Sequence, residues 1–358
     1  MKNIIKTLIV MLSSVSLFAT ANAGELNVSG TAKATYNIQS GKTNAGKGLG
    51  VTNELNFTAA GELDNGYTWS YSMELDPGAV ADTGDTTGEQ SQSAHNDDTK
   101  MTLSTPYGTV GVFISEGGLD VEDAASQSVY ARPTDMGDPS STVDNYTIDS
   151  YNNIQYHTPA DLLPFSTSFK IAYASDLTDA YGSGNNAGAV STVATDFVGE
   201  NATEMQIKTS PIDGLNIGAS YFEFDGTGMA KNDQEAESGA YYATYATGPV
   251  SVGYSKAYRA ELMADAGFAT TTNVDYYDQD NVSIAYAATD DISVSYERES
   301  SERVLVNSTT MEQESDAIQV AYTMGGMTLA VSHGSHDNNG YVQDANTEQT
   351  LFAVTMAF

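Results

Sequence analysis

The closing stretch, Thr350-Leu-Phe-Ala-Val-Thr-Met-Ala-Phe358, alternates without a break. Thr350, Phe352, Val354, Met356 and Phe358 share one face, and Leu351, Ala353, Thr355 and Ala357 share the other. Period two is the signature of a strand. An aromatic at its very end suits a strand sealed against lipid, with the ring at the membrane–water boundary. An amphipathic strand docked on a soluble sheet reads the same way over nine residues, so the rest of the chain must decide.

The pattern recurs at the other end. In Glu25–Ile38, residues Leu26, Val28, Ala32, Ala34, Tyr36 and Ile38 oppose Asn27, Ser29, Thr31, Lys33, Thr35 and Asn37. This run is longer than the roughly 5–6 residues of a typical soluble strand. It fits a tilted membrane strand of about 9–11 residues with an extension. Further alternating segments are read at 51–60, 67–75, 98–104, 109–115, 152–158, 167–175, 203–209, 215–224, 238–247, 250–258, 281–288, 292–298, 316–323, 327–333 and 349–358. With the first, these make sixteen strands. Tight-turn signals such as Asp64-Asn65-Gly66 and Met324-Gly325-Gly326 alternate with long polar connections. Eight long loops, seven short turns and both chain ends on the short side describe an all-β, antiparallel, up-and-down transmembrane barrel with long external loops. The even strand number lets the first and last strands pair, which removes both edges.

Composition agrees. Apolar residues are only 40%, yet the chain holds 22 tyrosines, which suits an interfacial girdle better than a dry core. Tyr36, Tyr71, Tyr156, Tyr173, Tyr221, Tyr241, Tyr245, Tyr254, Tyr286, Tyr296 and Tyr322 fall on the apolar faces. A propeller or solenoid would show a fixed sequence repeat, and none is present. A soluble sandwich would need far fewer strands. So acidic a chain could be disordered, but its aromatics and ordered alternation argue against that. Sixteen strands leave room for an aqueous channel where eight would be filled by side chains.

Residues 1–23 read as a secretory signal, with Lys2 and Lys6, the apolar run Thr7–Ala19, and Ala21-Asn22-Ala23. The barrel then occupies residues 24–358. With no cysteine, the exported protein folds without disulfides. The net charge of −33 argues against nucleic acid and anionic headgroups as direct partners and favours cations.

Taken together, the chain resembles a Gram-negative outer-membrane general porin, sixteen-stranded and trimeric, of the alphaproteobacterial type. The signal peptide, the sixteen segments and the long interruption after the fifth strand carry the resemblance. Asn153-Ile154-Gln155-Tyr156-His157-Thr158-Pro159 is similar to the stretch that follows the constriction loop in that family, with Asn153 in place of the usual small residue. Phe352, Val354, Met356 and Phe358 resemble the C-terminal signal read by the barrel-assembly machinery.

The resemblance implies an outer-membrane homotrimer, in contact with lipid, passing ions and small hydrophilic solutes. It implies that the third loop, Glu116–Asp149, folds into the lumen. That loop holds Glu116, Asp120, Glu122, Asp123, Asp135, Asp138, Asp144 and Asp149 against one base, Arg132. In the family such acids face a basic wall. Inward parity here offers Lys33, Lys100, Lys170 and Lys208, and also Glu54, Glu74, Glu204 and Glu297. The arginine ladder common in enterobacterial members is missing, which puts a strong transverse field in doubt. The excess of loop acids predicts cation preference.

No cofactor is required on this reading. Calcium is a candidate for the acidic loops, with Asp76, Asp82, Asp85, Glu122 and Asp123 as oxygen donors, although a solvated acidic surface explains them as well. His95, His157, His333 and His336 are scattered, and no nucleophile, metal or phosphate motif accompanies them, so an enzyme is not expected. A substrate-specific channel or an adhesin is the alternative.

Overall fold

The computed structural model describes residues 26–41, 46–77, 94–136, 144–175, 201–225, 234–261, 263 and 272–358. The expected signal peptide at 1–23 lies outside them. Sixteen strands follow one another: β1 (Asn27–Gly41), β2 (Gly46–Glu62), β3 (Thr68–Pro77), β4 (Ala94–Thr105), β5 (Gly108–Ile114), β6 (Asn153–His157), β7 (Ser168–Ala174) and β8 (Asn201–Ile212). The second half comprises β9 (Leu215–Asp225), β10 (Glu237–Thr247), β11 (Val250–Ala260), β12 (Val274–Ala287), β13 (Ile292–Leu305), β14 (Thr310–Met324), β15 (Met327–Asp337) and β16 (Thr347–Ala357). Each pairs antiparallel with its neighbours in sequence, and β1 pairs with β16, so the sheet is a closed barrel without an edge.

Closure runs in register from Thr31–Ala357 to Gly41–Thr347. Beyond it, the amide of Gly30 donates to the Phe358 carbonyl (2.8 Å) and the Phe358 amide to the Gly30 carbonyl (3.0 Å). The Phe358 ring lies over Gly30, where an added Cβ would stand 2.9 Å from it. A side chain at position 30 would therefore push the closing residue away.

Alternation decides the faces. On β16, Phe352 and Met356 are exposed on the outside, while Leu351 and Ala353 are buried inside. On β10–β14, Tyr241, Tyr245, Tyr254, Tyr286, Tyr296 and Tyr322 stand exposed on the outer surface, joined by Tyr258 and Tyr276, which are not among the apolar-face tyrosines named above. An outer band of Ile, Val, Leu and Tyr is the solution a barrel needs in lipid.

Several strands run further than hydrophobic alternation suggests. Residues 299–305 and 310–314, read as loop, continue β13 and β14, leaving only residues 306–309 between them. Likewise, β12 begins at Val274 and β15 continues to Asp337. Above the apolar band the outward positions turn polar, for example Asp278, Ser300, Glu312 and Glu314. The period-two contrast in hydropathy then vanishes, while the backbone ladder continues. The expected regular series of long and short connections is corrected to this extent.

Candidate functional site

The expected inward loop is present. Following β5, Ser115 and Gly117 take left-handed backbone conformations (φ 51° and 87°), which turn the chain sharply into the barrel. A Cβ at Gly117 would lie 2.4 Å from the Gln155 amide nitrogen, so glycine is required there. The loop then crosses the inner wall through three 3-10 turns, Glu122–Ala125, Pro133–Asp135 and Ile148–Ser150, before joining β6.

Apolar residues of the loop set its path. Leu119 and Ile148 pack with Ala172, Ala174, Ala202 and Phe222 on β7–β9. Next, Val121 and Ala125 meet Ala240, Tyr242 and Ala257 on β10 and β11. Finally, Met136 meets Ala317 and Leu351 on β14 and β16, and Val129 and Tyr130 lie against Ala321, Ala330 and Ala353. Leu351 and Ala353 on the small inward face of β16 therefore seat the loop and do not line open water. Burying each large apolar side chain contributes about 1.5–3 kcal/mol, set against the entropy of ordering the loop.

Polar groups of the wall satisfy the loop backbone strand by strand. Glu204 on β8 accepts from the amides of Leu119 (3.1 Å) and Ile148 (2.9 Å), and Gln206 donates to the Leu119 carbonyl (2.7 Å). Ser220 on β9 accepts from the Val121 amide (3.1 Å), and Ser255 on β11 donates to the Glu122 carbonyl (2.6 Å). On β12, Ser283 donates to the Ala125 carbonyl (2.7 Å) and accepts from the Gln127 amide (3.1 Å). Ser295 and Gln319 on β13 and β14 accept from the amides of Val129 and Tyr130 (both 3.0 Å). Gly253 makes the crossing of β11 possible, because a Cβ there would sit 1.8 Å from the Ala125 carbonyl oxygen. At the root, Asn153 donates to the carbonyls of Glu116, Ile148 and Tyr151.

Two carboxylates read as pore-wall charges turn out to be anchors. Glu204 is buried under Leu119 and Ile148, as described. Glu297 is buried on β13, accepting from Ser126 (2.6 Å), Ser128 (2.5 Å) and Asn281. Parity placed both inward correctly, but a loop covers them.

The only base of the loop is already engaged. Arg132 contacts Asp123, Asp135 (2.9 Å) and Glu299 (3.3 Å), with Asp144 at 3.9 Å. Four carboxylates around one guanidinium leave a local excess of negative charge. Burial first, then Asp120, Glu299 and Asp135, outweigh Arg132 and push the Asp123 carboxyl up to about 7. Burial, with Asp120, Asp123 and Asp144 nearby, raises Glu122 well above the usual carboxylate range. Burial also raises Asp144 and Asp149. Glu299 entered no reading of the loop, since it lies far away in sequence on a segment taken as external.

The remaining sequence candidates divide by wall. Lys33 lies 6.0 Å from the Tyr130 ring centroid, at the far end of the loop's track. Lys100 pairs with Glu116 at the loop's beginning. Glu54 accepts from Thr31 (3.3 Å) on the β1–β2 wall. Glu74 sits beside a register irregularity between β3 and β4. Lys170 and Lys208 occupy β7 and β8 on the short-turn side of the loop. Asp120 accepts from Asn145 (3.1 Å), Ser220 (2.9 Å) and the Glu122 amide (2.8 Å).

Asp138, Asp82 and Asp85 lie outside the described residues, as does the side chain of Asp76. Glu122 accepts from the Asn145 amide (3.1 Å) while Asp123 turns to Arg132. Among the described residues no three His, Cys, Asp or Glu side chains converge as metal ligands. Of the described histidine side chains, His336 is buried between Ser315 and Gln349, and His157 contacts Gln155 (2.8 Å).

The arrangement is a barrel lumen narrowed by a loop bound to the inner faces of β7–β16. The inner faces of β1–β4 stay polar, with Lys33, Thr35, Glu54, Asn56, Ser72, Lys100 and Thr102 along them. Solved structures share this architecture. The Salmonella typhi OmpF complex with daunomycin aligns with a TM-score of 0.64 at 12% identity, covering 95% of this chain and 100% of that one. An anion-selective porin from Comamonas acidovorans gives 0.64 at 11% identity, covering 94% and 100%. The trimer form of Vibrio cholerae OmpT gives 0.57 at 12% identity, covering 94% and 100%. At these identities they show the fold alone. No curated protein sequence matches the chain. The family model described as Gram-negative porin matches residues 7–357. The chain therefore belongs to the Gram-negative porin family and forms a β-barrel channel for passive diffusion across the outer membrane.

Proposed function

We propose that this porin prefers cations and passes small hydrophilic solutes without a saturable site for any one neutral substrate. The observation that carries the proposal is the loop itself. Seven described acids, Glu116, Asp120, Glu122, Asp123, Asp135, Asp144 and Asp149, share one base in it, and that base is committed to Asp123, Asp135 and Glu299. Charge lining a narrow path sets the permeant sign. The reversal potential of the refolded protein in a KCl gradient tests it: a cation-selective sign is expected, and an anion-selective sign overturns it.

The same reading makes the protein a channel and not an enzyme. Its outer surface contacts lipid, and its C-terminal residues Phe352, Val354, Met356 and Phe358 serve recognition by the assembly machinery. A homotrimer is part of the proposal, supported by the trimeric form of the OmpT structure. Three-step closures of single insertions would support it. Cleavage of residues 1–23 on export, and calcium held by acidic external residues, belong to the proposal too. Calorimetric titration of chelator-treated protein with calcium tests the second point.

A further inference from the structure

Five of the ten Lys and Arg side chains among the described residues have a carboxylate partner. Lys100 has Glu116, Arg132 has Asp123, Asp135 and Glu299, Lys256 has Asp278 and Asp280, Arg259 has Glu261, and Arg298 has Glu314. Lys170 and Lys208 form no ion pair with a described residue. Both point into the lumen. Lys170 shares its face with Ala172 and Ala174, which Leu119 and Ile148 cover. Lys208 shares its face with Glu204 and Gln206, which bind the Leu119 backbone. Each lysine is the next inward position toward the short turns, one pleat repeat, or about 6.6 Å, beyond that cover. They are half-buried and lie just past the loop on its turn side.

The register brings them together. Lys170 lies opposite Gln206, so Lys208 is its diagonal neighbour on the same face, at about 7–8 Å between backbones and within reach of two long side chains. His157 lies directly opposite Lys170 on the other side. Across from Lys208 stands Gly218, which brings no side chain. A Cβ there would meet the Tyr242 ring at 2.5 Å and the Lys208 Cγ at 3.1 Å, so the ring and the lysine stem share the space over the glycine. The other inward lysine nearby, Lys100, is held by Glu116. The charge that Lys208 senses is Asp120, already bonded to Asn145, Ser220 and the Glu122 amide.

We propose that Lys170 and Lys208, with His157 beside them, form a binding station for small multivalent oxyanions on the turn side of the loop. Two ammonium groups on flexible stems suit a phosphate or a short dicarboxylate better than chloride, since one ion answers both charges. An anion arriving from the turn side reaches the station without passing the loop acids. From the loop side it must pass Asp120, Glu122 and Asp123 first. The channel would then carry opposite charge on the two sides of its constriction, along the axis. This inference rests on the channel reading above.

The test is single-channel recording in dilute KCl at pH 7.5, with inorganic phosphate, succinate or acetate added to one side at a time. Concentration-dependent block by phosphate and succinate, stronger from the turn side and stronger than with acetate, is expected. The K170Q/K208Q variant should need roughly two- to tenfold more phosphate for half block, as expected for two partly exposed charge contacts, and K170R/K208R should keep the block. The conductance of both variants in KCl alone verifies that the barrels fold. A conducting wild type that phosphate does not block, or a block unchanged in K170Q/K208Q, overturns the station and leaves the channel standing. A wild type that does not conduct overturns the channel reading itself.

Discussion

Gly253 has no side chain because the Ala125 carbonyl occupies the space a Cβ would take, at 1.8 Å. The substitution G253A must move either β11 or the loop, and the loop has fewer restraints. Overpacking of this kind costs about 1–3 kcal/mol. The loop should detach around Ala125, and single-channel conductance should rise in G253A, whereas unchanged conductance and noise would show that the loop tolerates the methyl. Arg132 poses the opposite problem. Its removal in R132Q leaves Asp123, Asp135 and Glu299 facing one another; Glu299 is buried but Asp123 and Asp135 are half exposed, so the cost falls below the about 3–5 kcal/mol of a fully buried pair. More frequent gating noise is expected in R132Q, partly restored in R132Q/E299Q. Neither residue was fully legible in the sequence. Arg132 stood out as the only base among acids, but Glu299 and Gly253 acquire their roles only when distant strands meet the loop.

Among the elements, the closing strand and the β13–β14 hairpin carry the clearest expectations. Phe358 exchanges two backbone hydrogen bonds with Gly30 and covers it with its ring. Deleting Phe358, or substituting G30V, should lower the fraction of folded, heat-modifiable barrel on cold SDS gels more than it changes the conductance of the barrels that do form. Wild-type assembly in both variants would count against this role. The hairpin makes a separate claim. Residues 299–305 and 310–314 are paired strand and not loop. Their amides should exchange slowly with solvent, and free exchange would return them to the loop. Sequence reading missed this extension because Ser300, Glu302, Glu312 and Glu314 carry no hydropathy contrast, although their backbones pair as well as those below.

Across the whole molecule, charge at the constriction should depend on pH. Asp123 is raised from an ordinary carboxylate value of 3.8 to about 7. Between about pH 7 and pH 4 the folded loop thus keeps a proton that the unfolded chain releases, so acidification favours the docked loop and removes its charge. Cation-over-anion permeability should fall as pH drops from 8 to 5, read as a shift in reversal potential. A flat profile would mean that Asp123 does not contribute to selectivity.

Periodicity alone determined most of the barrel: sixteen alternating segments, an even count, and tyrosines on the apolar faces. These follow from the chain itself because lipid demands an apolar face and a closed ladder, and both conditions are written into each strand separately. The inward loop was legible as an acidic interruption between β5 and β6. Its path was not. Leu119, Ala125 and Met136 find their seats on β7–β16, and Ser220, Ser283, Ser295 and Gln319 become its hydrogen-bond partners, only once the barrel is closed. On each strand such a serine looks like any other inward polar residue. Whether Glu297 lines water or holds the loop, and whether Lys170 is paired or free, depends on contacts between residues far apart in sequence, and those contacts exist only in the tertiary structure.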